Sequence, residues 1–261
     1  MATSSQTFSR TASALAVDED VLRFDSVGKV FPDGTEAVRD ASFSLRRGEF
    51  LSVVGPSGCG KSTILRIASG LWRETSGEVC RRVDNVGMVF QDATLLPFRN
   101  VQRNVELLAE LDGVPRRERE TLAANAIRSV GLEGFERHYP KALSGGMKMR
   151  VAVARALTMK PPLFLLDEPF GALDEITRGT LNEELMRLFV QERFAALFIT
   201  HSISEAVYLS SRVLVMSPRP GRIVADVEVP FSYPRSPELR FDPAFGSLSS
   251  EISHALRRGY E

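Results

Sequence analysis

The chain has little of the material from which metal centres and membrane spans are built. Two cysteines and three histidines are spread over 261 residues. Cys59 and Cys80 have no metal-ligand spacing, and the histidines add none. No apolar run approaches the roughly 18 residues of a membrane-spanning helix; the longest are pieces such as LFLL at 163–166. Net charge is absent as well, because 33 Lys and Arg balance 33 Asp and Glu. No global field therefore draws the chain to nucleic acid or to an anionic bilayer, and no nucleic-acid partner is expected. The opening MATSSQTFSRTASALAVDED is rich in Ser and Thr and lacks the apolar stretch of a signal peptide, so residues 1–20 are expected to be a disordered tail. What is present, 43% hydrophobic and 25% charged residues, is the composition of an ordinary globular domain with a sizeable core. A reduced, cytoplasmic domain is the expectation.

Along the chain, short and partly alternating apolar runs come first, VLRFDSV (21–27) and ASFSLRRGEFLSVVG (41–55), punctuated by Asp33-Gly34 and Gly48 in the manner of hairpin turns. FLSVVG leads into a glycine loop and then into STILRIASGL, where Ile64, Leu65, Ile67, Ala68 and Leu71 have helical spacing. VGMVFQ (86–91) predicts another strand. From about 92 to 160 the pattern is helical, with Pro115 suited to a helix start and Gly131 to a helix end. Strand and helix patterns then alternate: LFLLDE (163–168), a helix around 185, AALFIT (195–200), a helix opened by the capping-box pair Ser202 and Glu205, and RVLVM (212–216). Such alternation implies an α/β fold with a buried, mostly parallel sheet, and the stretch 92–160 reads as an inserted helical subdomain. Residues 233–261 are proline-rich and then weakly helical, with no assignable role.

Two stretches carry phosphate chemistry. GPSGCGKST (Gly55, Pro56, Ser57, Gly58, Cys59, Gly60, Lys61, Ser62, Thr63) matches the P-loop pattern between a predicted strand and a predicted helix. Its glycines let successive N–H groups point inward at phosphate oxygens, Lys61 reaches the β- and γ-phosphates, and the Ser62 hydroxyl helps hold Mg²⁺. LFLLDE ends a buried strand on two carboxylates. Side chains alternate along a strand, so the two do different jobs: Asp167 is placed to hold Mg²⁺, and Glu168 to orient or deprotonate an attacking water. Together the two stretches predict hydrolysis of a nucleoside triphosphate. His201, after LFIT, and Gln91, after GMVF, stand at the carboxyl ends of other predicted strands, where open α/β sheets gather their ligands. Gln91 there can position water or Mg²⁺.

A second glycine turn, LSGG at 143–146, opens a helix, so Ser144, Gly145 and Gly146 offer N–H donors and a positive dipole end to an anion. It lies some 80 residues beyond a better phosphate loop. P-loop, Gln91, LSGGM, LLDEP, GALD and His201, in that order over about residues 21–225, resemble the ATP-binding subunit of ABC transporters. The resemblance implies a P-loop NTPase (RecA-like) core, mostly parallel, with an N-terminal antiparallel β-subdomain and a helical insertion, the whole domain spanning 21–232. It implies a head-to-tail dimer in which the LSGGM of one copy closes on the ATP of the other. By the same resemblance Glu168 is the catalytic base, His201 contacts the γ-phosphate, Asp174 belongs to the loop linking the two sites, and Phe31 stacks on adenine. The alternative for Phe31 is an ordinary core phenylalanine.

Two positions depart from the family pattern. Met147 stands where glutamine is usual, and Gly171 where serine is usual. LSGGMKMR, EPFGALDEITR and SPRPGRI are similar to the branch serving importers of nitrate, sulfonates, taurine and thiamine-pyrimidine precursors. LLPFRNVQRNV resembles the segment that docks an integral membrane permease subunit, with an extracytoplasmic solute-binding protein as an indirect partner. The implied location is the cytoplasmic face of the cell membrane, peripherally bound. Alternatives are a soluble ABC-type ATPase acting on nucleic acid or ribosomes, the ATPase subunit of an exporter, and a P-loop small-molecule kinase, which would leave LSGGM unexplained. The transported solute is not readable from the chain.

Overall fold

The computed structural model describes residues 19–259. The tail expected at 1–20 lies outside the described residues except for its last two positions, and Asp20 already opens the first strand. Strands β1 (Asp20–Val30) and β2 (Glu36–Arg46) pair antiparallel across the Asp33-Gly34 turn. Gly34 takes φ +82° there, and Asp33 accepts the Thr35 N–H at 2.9 Å. β4 (Ser76–Arg81) pairs with the other edge of β1, giving a sheet of order β2-β1-β4. Gly48 does not close a hairpin. The chain leaves β2 at that point and enters β3 (Phe50–Val54), which belongs to a different sheet.

That second sheet has the order β5-β6-β7-β3-β8-β9, with β5 at Val86–Val89, β6 at Leu163–Asp167, β7 at Ala195–Thr200, β8 at Arg212–Met216 and β9 at Ile223–Glu228. All pairings are parallel except β8 with β9. The period of two along each central strand divides its residues between two cores. Phe164, Leu166, Ala196 and Phe198 face the cluster beneath the helices of the insertion. Leu163, Leu165, Leu197 and Ile199 face the cluster shared with the antiparallel sheet and helix α1 (Lys61–Ala68). All eight are fully buried, and each large apolar side chain so placed contributes about 1.5–3 kcal/mol. Helix α1 stops at Ala68 because Gly70 turns left-handed at φ +81°, which leaves Leu71 62% exposed and off the predicted helical face.

The stretch 92–160 holds α2 (Val101–Val105), α3 (Leu107–Leu111), α4 (Arg116–Ser129) and α5 (Gly145–Leu157). Pro115 precedes the first residue of α4, and Gly131 follows its end at φ +67°. Beyond lie α6 (Glu175–Glu192) and α7 (Ile203–Leu209). Residues 233–259, read from sequence as weakly helical, contain a 3₁₀ turn at Pro237–Phe241 and a 16-residue helix α8 (Pro243–Arg258). α8 buries Phe245, Ile252 and Ala255 in the core cluster on the insertion side of the sheet. Arg235 fastens this segment. Its Nη1 donates to Val207 O, Tyr208 O and Ser210 O at 2.8–2.9 Å, so one guanidinium satisfies the carbonyl end of α7.

Candidate active site

Four neighbouring parallel strands, β5-β6-β7-β3, deliver the site residues to one edge of the sheet. The register aligns their carboxyl ends: Val89 opposes Leu166, Asp167 opposes Ile199, and Val54 opposes Thr200. Gln91 follows β5, Asp167 closes β6 with Glu168 next, His201 follows β7, and Gly55 follows β3. Residues far apart in sequence thus meet because the strands that end on them are paired.

The loop after β3 wraps around Lys61. Gly60 has φ +113°, and a Cβ there would lie 2.6 Å from the Ala37 carbonyl oxygen of β2, so only glycine permits this close approach. A Cβ on Gly55 would stand 2.9 Å from Cys59 Sγ. Cys59 is buried beneath the loop, and desolvation pushes its thiol above the ordinary value. Lys61 is 4% exposed; its Nζ donates to Gly55 O at 2.9 Å and Pro56 O at 3.0 Å, and lies 3.7 Å from Glu168 Oε1. Arg219, exposed after β8, holds the tip of the loop by donating from Nε and Nη2 to Gly58 O at 3.1 and 2.9 Å. Sequence reasoning did not single out Arg219; its setting between two prolines in SPRPGRI was the available signal.

Ser62 donates its hydroxyl to Asp167 Oδ1 at 2.9 Å. Burial, opposed by that hydrogen bond, holds the Asp167 carboxyl above its ordinary value. Two hard oxygen donors, the Ser62 hydroxyl and the desolvated Asp167 carboxylate, fit Mg²⁺, which takes one or two carboxylates and completes its shell with water and phosphate oxygens. Among the described residues no group of three or more His, Cys, Asp or Glu is arranged to hold a metal by itself. Glu168 projects beyond Asp167, with its backbone at φ +45° and its N–H donated to Ile199 O at 2.9 Å. Its Oε2 lies 3.0 Å from His201 Nδ1. A carboxylate oxygen only accepts, so when Glu168 is ionised Nδ1 is the donor of this pair. Lys61, Ser62, Asp167, Glu168 and His201 therefore form one connected cluster that can hold phosphate, place a cation and orient a water.

Other expected residues lie apart from it. Phe31 sits at the end of β1 with its ring edge-on to Trp72 at 5.3 Å, partly buried against the core that α1 shares with the antiparallel sheet. Gln91 is exposed in the loop after β5. Arg155 of α5 anchors the following residues, donating to Ala93 O and Thr94 O at 3.0 Å each. Ser144 caps α5 by accepting the Met147 N–H at 3.2 Å. Gly145 and Gly146 pack against the start of α6, where a Cβ on Gly146 would meet Thr177 Cγ2 at 2.7 Å. Asp174 caps α6 through the Thr177 N–H at 2.9 Å and its hydroxyl at 2.7 Å. The two departures have plain settings: Met147 packs as a partly buried apolar side chain, and a Cβ on Gly171 would find ordinary contact, 3.6 Å, with Glu168 Oε2 and His201 Cε1.

A family model described as ABC transporter matches residues 38–171. An uncharacterized ABC transporter ATP-binding protein, MJ0412, of Methanocaldococcus jannaschii is 45% identical, covering 82% of this chain and 84% of the relative. The aliphatic sulfonates import ATP-binding protein SsuB of Bacillus cereus is 39% identical over 91% of this chain and 96% of its own. The nitrate import ATP-binding protein NrtD of Synechococcus elongatus is 39% identical over 95% and 96%. Among solved structures, the dimeric post-hydrolysis state of the ATP-binding cassette MJ0796, bound to ADP and Pi, superposes with a TM-score of 0.70 at 30% identity, covering 81% of this chain and all of that one. The nucleotide-loop cluster at one edge of a parallel sheet, the helical insertion and these likenesses agree: the chain belongs to the ABC transporter ATP-binding family and is an ATPase of that family.

Proposed function

We propose that this chain powers an importer of a small solute of the nitrate, sulfonate, taurine or pyrimidine-precursor type by ATP-driven head-to-tail pairing of two copies. The cluster Lys61–Glu168–His201, with Ser62–Asp167 beside it, carries the reading. Backbone N–H groups of residues 57–63 and the Lys61 ammonium bind the β- and γ-phosphates. Ser62 and Asp167 would hold Mg²⁺, with Gln91 as a further oxygen donor; bound there, the ion would supply charge neutralisation for the phosphate oxygens. Glu168 accepts a proton from the attacking water. His201 keeps Glu168 aligned through Nδ1–H and turns Nε2 toward the γ-phosphate. Phe31 offers a ring face to adenine.

Ser144 caps its own helix, and the neighbours of Gly145 and Gly146 are Leu173 and Thr177, the residues that flank Asp174. That placement supports their service to a partner's nucleotide, with Asp174 at the junction, and the printed description of the MJ0796 neighbour as dimeric supports it further. The importer reading draws on the sulfonate and nitrate import relatives. Among the described residues no helix is long and apolar enough to cross a membrane. Docking on an integral membrane permease at the cytoplasmic face then falls to the segment around Phe98, which is 73% exposed. Buried Asn104 braces that segment, donating to Leu96 O, Arg99 O and Asn100 O at 2.9–3.1 Å. An extracytoplasmic solute-binding protein would deliver the solute to the permease. Glu168→Gln tests the site: it is expected to bind Mg-ATP with near-normal affinity and hydrolyse it about 10²–10⁴-fold more slowly. Wild-type turnover in that variant contradicts the assignment.

A further inference from the structure

Ser202 and Glu205 have capping-box spacing, but only half of the box forms. Ser202 Oγ accepts the Glu205 N–H at 3.3 Å, whereas the Ser202 N–H goes to Thr200 Oγ1 at 3.0 Å. The Glu205 carboxylate is thereby released from the helix start. Its Oε2 accepts the hydroxyl of Thr200, the last residue of β7 and the one before His201. Its other oxygen, Oε1, faces Arg178 Nε at 3.8 Å. Neither of those two atoms has a hydrogen-bond partner among the described residues, although both are buried. Arg178 belongs to the first turn of α6, and its Nη2 donates to Leu173 O at 2.8 Å, the carbonyl just before Asp174. A continuous path therefore runs from the Asp174 loop through Arg178 and Glu205 to Thr200 and the His201 turn.

We propose that the Arg178–Glu205 pair is a positioning link that sets His201, and through it Glu168, according to the place of the Asp174 loop. This rests on the roles given above to Glu168 and His201. Neither Arg178 nor Glu205 touches the reacting atoms; both act through backbone and hydroxyl groups that do the placing. A carboxylate this buried, 8% exposed at its side chain, is costly without a cationic partner, so Arg178 is held to it electrostatically. The pair is about 1 Å longer than a charge-assisted hydrogen bond. An inward shift of the Asp174 loop by that amount closes it and pulls on Glu205, whose other oxygen carries the pull to Thr200. Displacement of reacting groups by about 1 Å is enough to change a rate by two orders of magnitude.

The test compares Arg178→Ala, Arg178→Lys, Glu205→Gln and the double variant Arg178→Ala/Glu205→Gln with the wild type in steady-state ATP hydrolysis. Histidine ring resonances of labelled protein are followed in parallel. Lysine keeps the charge but has no fork to span Leu173 O and Glu205; glutamine keeps an acceptor for Thr200 but no charge for Arg178. Each single variant is expected to lower kcat about ten- to a hundredfold while KM stays within about twofold. The double variant should be no slower than the slower single one, because both remove the same link. In Arg178→Ala and Arg178→Lys the His201 signal should shift although Arg178 does not touch it, with His138 and His254 unmoved. A stationary His201 signal, or losses that multiply in the double variant, would overturn the link. Should Arg178→Ala fail to fold, Arg178→Lys, which preserves charge and bulk, decides by the same criteria. Glu168→Gln run alongside separates the two readings: if it hydrolyses normally, the site assignment fails; if it is inactive while Glu205→Gln and Arg178→Lys are normal, only the link fails.

Discussion

Glu168 occupies a backbone region that side chains other than glycine rarely adopt, φ +45°. Such a conformation costs about 1–3 kcal/mol and persists only where neighbours over-determine it. Here they do: its N–H is fixed on Ile199 O and its carbonyl accepts Gly171 N–H at 3.1 Å. The twist separates Glu168 from Asp167, so one faces Lys61 and His201 while the other faces Ser62. Asp167 carries a different penalty. Burial raises its carboxyl above the ordinary value of 3.8, so the folded protein binds a proton there more tightly than the unfolded chain does. Stability is then lost as pH rises from that ordinary value through the raised one. Asp167→Asn, which keeps an acceptor for Ser62, should therefore raise the melting temperature of the nucleotide-free protein at pH 7. The gain should shrink to nothing as pH falls below the ordinary carboxylate range. Thermal melting across pH 3–8 checks this; a variant less stable than wild type at pH 7 would contradict it. At this scale the sequence was informative about identity and mute about linkage. GKST and LLDE name their residues by type and spacing, yet the Glu168–His201 and Arg178–Glu205 contacts join positions whose meeting depends on strand order.

Among the elements, strands with continuous apolar runs were legible because a strand buried on both faces must be apolar throughout, as in LFLLD and AALFIT. β4 was not, since SGEVCR is polar and mostly exposed, and its place is decided by pairing to β1. Gly48 misleads for the same reason: a turn glycine is visible in sequence, but whether the next strand returns beside the last depends on the partner it finds. The C-terminal segment shows how one polar residue organises an element that periodicity suggests only faintly. Arg235 is 6% exposed, its charge stacked on the Tyr233 ring at 4.3 Å. Desolvation lowers the guanidinium below its ordinary value, and burial raises the Tyr233 phenol. Arg235→Ala would strand three carbonyls at the end of α7 and is expected to destabilise the protein by about 2–4 kcal/mol. Denaturant melts measure that loss, and hydrogen exchange should show α7 and α8 opening together. An unchanged midpoint would mean that α8 is held by its apolar face alone.

For the molecule as a whole, the order β5-β6-β7-β3 explains why Gln91, Asp167, Glu168, His201 and the P-loop share one edge, and why Ser144–Gly146, carried by the insertion on α5, do not join them. One chain carries two separate stretches: a phosphate loop with its carboxylates, and a capped glycine turn beside the start of α6, which the proposed function assigns to the nucleotide of a second copy. The fold class and the order of motifs were readable in advance, since alternating strand and helix patterns admit few topologies. The separation of LSGGM from the P-loop is likewise implied by the resemblance; what the motifs do not carry is how the insertion packs, with Gly146 set against Thr177 of α6. The most direct measurement is the solution mass of Glu168→Gln by light scattering after size exclusion, with and without Mg-ATP, beside the same variant carrying Ser144→Arg. The account predicts a dimer only with Mg-ATP, and a monomer under both conditions once Ser144 is replaced, with nucleotide still bound. A dimer that forms equally without ATP, or that survives Ser144→Arg, would contradict it.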